Sequence, residues 1–374
     1  MPSARSGEAA MPERFDVLVI GAGIVGAACV MQLHAAGLAV GVVDPGPTGG
    51  GATGAGMGHI VVMDGSPPEL ALTRYSRDLW AQRGTAADRL WCGTIWVAGD
   101  DLDEARRKHR AHTQQGVMCE LVDEPGLRAL EPALRPGLAG GLLVPGDGVV
   151  YPPTEAAALL AGAGPVIRAA VAGLVPGGVT LADGRRLWAG ATVLAAGLGC
   201  AALLPELPLR PKKGHLAITD RYPGFIGHQL VELGYARSAH ASGAETVAFN
   251  VQPRPTGQVL VGSSRQVGCA SGEVEHPLLA RMLQRACAYL PRLAELDCIR
   301  AWTGVRVATP DGLPLIGPHP TRPGLWIAAG HEGLGITTAL ATGRLLADQL
   351  LGRPPDIPPA PYLPARFPEV AAGA

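Results

Sequence analysis

The chain has 374 residues, 47% hydrophobic and 17% charged, with a formal net charge of −1. That length accommodates two ordinary cores in a globular protein. Scattered Lys and Arg at near-zero net charge exclude a basic nucleic-acid-binding face, and the 52 glycines and 34 prolines follow no fixed period, which excludes a collagen-like or solenoid repeat.

Residues 1–13 read as a disordered extension. Residues 15–20 (FDVLVI) form an apolar, β-branched run of strand length. They lead into GAGIVG at 21–26, then a helical segment ending at Gly37, then a second strand, LAVGVVD, closing on Asp44. This is a βαβ unit with GxGxxG in its first turn and an acid about twenty residues on, the pattern of a dinucleotide site. Gly21 permits the tight turn, Gly23 admits a pyrophosphate close to the backbone, and Gly26 lets helix and strand approach; Ile24 and Val25 carry the N–H groups of the helix start. Asp44 is placed to accept from the ribose hydroxyls of the adenosine. The apolar run over 17–33 approaches membrane length, but three central glycines fit the turn better than a spanning helix of about 20 apolar residues.

The fingerprint alone does not separate FAD from NAD. Its early position and a second glycine-rich stretch directly after Asp44, PGPTGGGATGAGMGHI at 45–60, favour the longer cofactor. Gly51, Ala52 and Thr53 can cap a short helix facing the pyrophosphate, and Gly56, Met57, Gly58 and His59 would then reach the reactive ring. Residues 69–90 read as helical. The charged run 100–112 reads as an exposed, solvated helix, and 151–163 as a helix with Thr154 as its cap. Strand-like pieces follow, including VTLADGRRLWAG with an Asp-Gly hairpin signal and ATVLAAGLG at 191–199. Alternating strand patterns fill 213–300.

Near the C-terminus, residues 325–329 are a strand, 330–335 a glycine-rich turn and 336–351 a long amphipathic helix. Its free N–H groups can stabilise negative charge. Arg306, in WTGVRVATPDGLP, is the residue type suited to a bidentate grip on a carboxylate; a structural salt bridge to Asp311 is the competing reading. The proline-rich segment 354–368 should lie extended over the surface. Seven cysteines stand singly with no CxxC pair, so a reduced, cytoplasmic protein without a metal site is expected.

These segments resemble the D-amino-acid oxidase (DAO) superfamily, in the branch of glycine oxidase, sarcosine oxidase, and hydroxyproline and D-amino-acid dehydrogenases. The resemblance is carried by GAGIVG at 21–26, ATGAGMG at 52–58, LAAGLG at 194–199, PKKGH at 211–215 and LVGSSRQVG at 260–268. WTGVRVATPDGLPLIGP at 302–318 and LWIAAGHEGLGITTALATGRLLADQLLG at 325–352 are the most specific of them. It implies a Rossmann-like α/β FAD-binding domain from 14–90, 150–212 and 300–352. A discontinuous α+β substrate domain on a mostly antiparallel sheet would come from 91–149 and 213–299, followed by an extended tail at 353–374.

The resemblance further implies non-covalent FAD. Gly330, His331, Gly333, Leu334, Gly335, Ile336 and Thr337 would lie along the isoalloxazine, with Val171, Ala196 and Gly197 as further cofactor contacts. A structural role for His331, orienting the turn, stands beside this one. Arg306 would bind the substrate carboxylate, and His59 would touch substrate or flavin or, as a His does in some relatives, attach covalently to the flavin, against the non-covalent mode expected here. Tyr235, His240, Arg254 and Arg265 are weaker pocket candidates. The implied reaction oxidises a small amino or imino acid at the carbon beside nitrogen by hydride transfer to flavin, giving an imine. A D-hydroxyproline or proline-type dehydrogenase passing electrons to a partner redox subunit, and an oxidase using oxygen, both fit. A non-catalytic flavin-binding subunit is the reading from another class. No membrane span and no nucleic-acid partner are expected, and oligomerisation is left open.

Overall fold

The computed structural model describes residues 14–84, 86–234 and 245–372; the expected extension at 1–13, Tyr235 and His240 lie outside the described residues. Two eight-stranded sheets organise the chain. The first is built on the predicted unit. Strand Arg14–Ile20 pairs in parallel with Val40–Val43 on one side and with Arg186–Leu194 on the other. Leu325–Ala329 continues the parallel set beside Arg186–Leu194. The hairpin expected at Asp183 and Gly184 joins Gly178–Leu181 to Arg186–Leu194, with Gly184 at φ 86°. Helix Ile24–Ala35 packs on the sheet, and helix Gly335–Leu350 packs on that helix.

The second sheet runs Cys298–Ala308, Arg210–Arg221, Gln258–Val267, Glu245–Pro253, Gln229–Glu232, Thr94–Ala98, Gly140–Val144 and Glu120–Asp123 in spatial order. It is antiparallel except where Gln229–Glu232 runs parallel with Thr94–Ala98. Its outer face carries Ile95, Val97, Leu230, Phe249 and Val251 into an apolar cluster with helix His276–Tyr289. Strand Cys298–Ala308 therefore hydrogen-bonds in this second sheet, although the expected division places 300–352 with the nucleotide unit. A three-stranded sheet of His59–Ile60, Gly148–Val150 and Arg89–Leu90 lies at the glycine-rich segment.

Three local expectations change on folding. Helix Asp103–Gln114 is not solvated all round: Ala105, Lys108 and His112 are buried on one stripe, and Lys108 pairs with Asp64 while lying 3.9 Å from the Trp96 ring centroid. The i, i+3, i+7 stripe was masked in the sequence by charge, because the buried member is itself a paired lysine. Helix Pro152–Leu160 has Tyr151 as its N-cap, and the Thr154 hydroxyl donates back to the Tyr151 carbonyl at 2.9 Å. The tail is docked rather than merely extended: Ile357, Tyr362 and Val370 are buried, the Tyr362 hydroxyl donates to Pro68 O at 2.7 Å, and Arg366 pairs with Asp311. Among the described residues no helix is long and apolar enough to cross a membrane; the apolar run at 17–33 divides between a strand and a helix.

Candidate active site

The nucleotide end is set by backbone proximity. Gly21 sits at φ 111°, and a Cβ there would lie 2.4 Å from the carbonyl oxygen of Ala195 and 3.1 Å from Cα of Ala196. At Gly26 a Cβ would lie 2.0 Å from Gly21 O, so helix and turn touch backbone to backbone. Gly23, by contrast, would meet only the Thr53 hydroxyl, at 3.2 Å. Helix Ile24–Ala35 has glycine at its N-cap and no acid in its first turn, so apart from the Ile24 N–H its positive end is available to an anion. Asp44 braces the turn, accepting from Ala22 N and Gly46 N at 2.7 Å each. Each carboxylate oxygen keeps a further lone pair for a hydroxyl donor.

Helix Gly51–Gly54 is capped at Gly50, with Gly51 and Ala52 exposed. Thr53 points inward instead and accepts from Ile24 N at 3.0 Å, tying the second glycine-rich stretch to the first. Gly197, at φ 56°, has no atom within 4 Å of its Cβ position, while Val171 and Ala196 pack against the same apolar cluster.

The turn expected to lie along the isoalloxazine leads into helix Gly335–Leu350. That helix has no side-chain cap and no first-turn acid. A Cβ on Gly335 would lie 3.8 Å from the Val25 side chain, so the two helix starts are neighbours. Gly56 approaches Ile336, whose Cδ1 would be 2.7 Å from a Cβ there. The Thr337 hydroxyl donates to His59 O at 2.9 Å. His331 is buried, its Nε2 3.0 Å from the Thr342 hydroxyl, and burial pushes its pKa down to about 3; it is a neutral member of the turn.

Three cations surround this turn. Glu332, at the unusual φ of 49°, lies 3.3 Å from Lys212 Nζ and 3.5 Å from Arg265 Nε. Burial opposes its charge, but Arg265, Lys212 and Arg306 outweigh that and hold it below the usual carboxylate range. Arg306 donates to Ser264 O at 3.3 Å, and its Cδ would be 3.8 Å from a Cβ at Gly333. The alternative salt bridge from Arg306 to Asp311 is not formed: Asp311 takes Arg366, at 2.7 Å.

His59 is central to a polar chain. Gln229 donates through Nε2 to Gly148 O at 2.9 Å, so its Oε1 must face His59 Nδ1, 2.5 Å away. Nδ1 therefore carries the proton, and Nε2 accepts from Asn250 Nδ2 at 3.1 Å. Burial pushes the His59 pKa down to about 4; the Gln229 hydrogen bond resists this, and the positive charges of Arg254 and Arg306 reinforce it. Arg254 donates to Met57 O at 3.0 Å. Gln229, Asn250 and Glu332 do not stand out in the sequence. For Asn250 the signal there is polar residues at alternate positions of an otherwise apolar strand, AFNVQ at 248–252; Gln229 and Glu332 have no such pattern.

The cradle fits an extended dinucleotide. The turn glycines leave no room for side chains, Gly23 and Gly197 are open, and two neighbouring helix starts without first-turn acids supply positive potential. With a mixed sheet whose central strands run parallel beside a mostly antiparallel one, the arrangement defines an FAD-binding oxidoreductase. The family model for FAD-dependent oxidoreductases of the DAO type matches residues 16–349. The glycine oxidase of Pseudomonas aeruginosa is 30% identical over 95% of this chain and 99% of its own length. The D-amino acid dehydrogenase of Methylobacterium nodulans is 32% identical over 76% of this chain and 70% of its own. Among solved structures, glycine oxidase from Geobacillus kaustophilus superposes with a TM-score of 0.84 at 27% identity, covering 95% of this chain and 99% of that one. The chain belongs to the DAO family of FAD-dependent oxidoreductases.

Proposed function

We propose that this enzyme oxidises a small amino or imino acid at the carbon bonded to nitrogen, with a hydroxyproline or proline as the first substrates to test. The observation that carries this is the position of Arg306, beside Gly333 in the turn that leads into helix Gly335–Leu350. A carboxylate gripped there presents its α-carbon to the ring. The glycine turn at 21–26 and the starts of helices Ile24–Ala35 and Gly335–Leu350 would hold FAD, which would supply the two-electron acceptor.

The protein's own groups bind and orient. Arg306 holds the carboxylate, and the turn at 330–335 supplies N–H groups. His59, kept neutral by its surroundings, holds its neighbours in place without adding charge. Non-covalent attachment of FAD belongs to this reading and is checked by release of the flavin on acid precipitation. Seven free cysteines support a reducing, cytoplasmic setting.

Relatives named as oxidases and as dehydrogenases both match. A partner redox subunit as acceptor is the reading we favour. Peroxide released in air is to be compared with reduction of an artificial dye; rapid peroxide formation would replace the dehydrogenase reading with an oxidase one.

A further inference from the structure

Strand Glu245–Pro253 presents two faces. Phe249 and Val251 enter the apolar cluster behind the second sheet. Asn250 and Gln252, one residue out of phase, turn to the opposite side, where Asn250 meets His59. Both carboxamides are buried, at 4% and 0% exposure. Among the described residues Asn250 Oδ1 and both amide atoms of Gln252 have no hydrogen-bond partner. A buried amide without a partner is costly, so this face is built for a polar guest.

The direction of the Asn250 amide is fixed from a distance. The Gly148 carbonyl can only accept, which orients Gln229; Gln229 sets the tautomer of His59; and the lone pair of His59 Nε2 requires the NH2 of Asn250. Its oxygen must then point away from His59. The strand register places Asn250 opposite Gly262, and a Cβ at Gly262 would lie 3.0 Å from Met57 Sδ. The amide therefore lies against the segment expected to reach the reactive ring. Two residues further along the same strand as Gly262, Ser264 O accepts from Arg306. The Asn250 carboxamide and the Arg306 guanidinium thus both address strand Gln258–Val267, at neighbouring positions.

We propose that Asn250 Oδ1 accepts a hydrogen bond from the substrate's nitrogen while Arg306 holds its carboxylate, so that the pair sets which substrate atoms face the cofactor. This rests on the amino- or imino-acid reading above. A neutral acceptor suits this role because it holds an N–H of an amine without contributing a charge of its own.

The test uses two planar carboxylates of nearly the same shape, pyrrole-2-carboxylate with a ring N–H and furan-2-carboxylate without one. Their binding to the FAD-loaded enzyme is read from perturbation of the flavin spectrum. Wild type should bind the pyrrole about tenfold or more tightly than the furan, the effect of one buried hydrogen bond. Asn250→Leu should bring the ratio close to one, with the furan compound little changed. A purely structural role would weaken both ligands alike and leave the ratio intact. Asn250→Ala, which adds no bulk, serves if the leucine variant does not retain FAD. An unchanged ratio in the variant, or equal binding by wild type as expected if the amide holds only an ordered water, would overturn the proposal. Failure of every amino and imino acid to reduce the flavin would instead remove the functional reading, a separate result.

Discussion

Arg306 and His331 come from the same glycine-rich neighbourhood and behave oppositely. Arg306 brings a positive charge beside the turn at 330–335, whereas the His331 imidazole is desolvated and sits against the Thr342 hydroxyl. Replacing Arg306 with Ala should raise KM for the carboxylate substrate about 10–100-fold, the value of a charge-assisted pair, while FAD stays bound. Steady-state kinetics with flavin content measured in parallel checks this, and an unchanged KM removes Arg306 from the site. The His331 pKa is lowered from 6.5 to about 3, so between those values the unfolded chain binds a proton that the folded chain refuses. Stability from this group is complete above pH 6.5 and falls as the solution is acidified. Relative to His331→Gln, wild type should lose about 2 kcal/mol between pH 6.5 and 5, read from denaturant melts at each pH. A constant difference would mean that the imidazole is not desolvated.

At the level of elements, the two helices whose starts are neighbours also hold each other. Gly343 in helix Gly335–Leu350 lies on Ala28 in helix Ile24–Ala35, where a Cβ would be 2.5 Å from the Ala28 carbonyl oxygen. The three nearest atoms, Ala28 O, Ala28 C and Cys29 N, are all backbone, so the helices must separate. Gly343→Ala should cost about 3 kcal/mol or more and weaken FAD retention, measured by thermal melting with and without added FAD. The elements most legible in the sequence were those with strong local signals: the glycine turn after the first strand, Asp44 at the end of the second, and the long last helix. Less legible was whatever depends on distant pairing. His59 meets Gln229 and Asn250 across 170 and 191 residues of sequence, which no local pattern encodes. The burial of Lys108 and His112 was hidden because charged residues ordinarily mark a solvated face. Arg306 was legible as a residue of interest, but only the fold showed that Asp311 belongs to Arg366.

Over the whole molecule, the C-terminal segment packs into the apolar cluster shared by the first sheet and helices Ile24–Ala35 and Gly335–Leu350, through Ile357 and Tyr362. Tyr362, 1% exposed, anchors that segment to helix Pro67–Gln82 through Pro68. Tyr362→Ala should destabilise the protein by about 3–5 kcal/mol without changing the rate of flavin reduction below its melting point. A variant with normal stability would show that the docked tail contributes little.

Catalysis of the proposed kind requires bound FAD and an amino or imino acid able to deliver electrons to it. Anaerobic titration of the FAD-loaded protein with glycine, sarcosine, D- and L-proline, the 4-hydroxyprolines and common D-amino acids tests this most directly. At least one of them should bleach the flavin absorbance completely, with small imino acids the fastest. Protein that binds no FAD, or bound FAD that none of these compounds reduces, would contradict it.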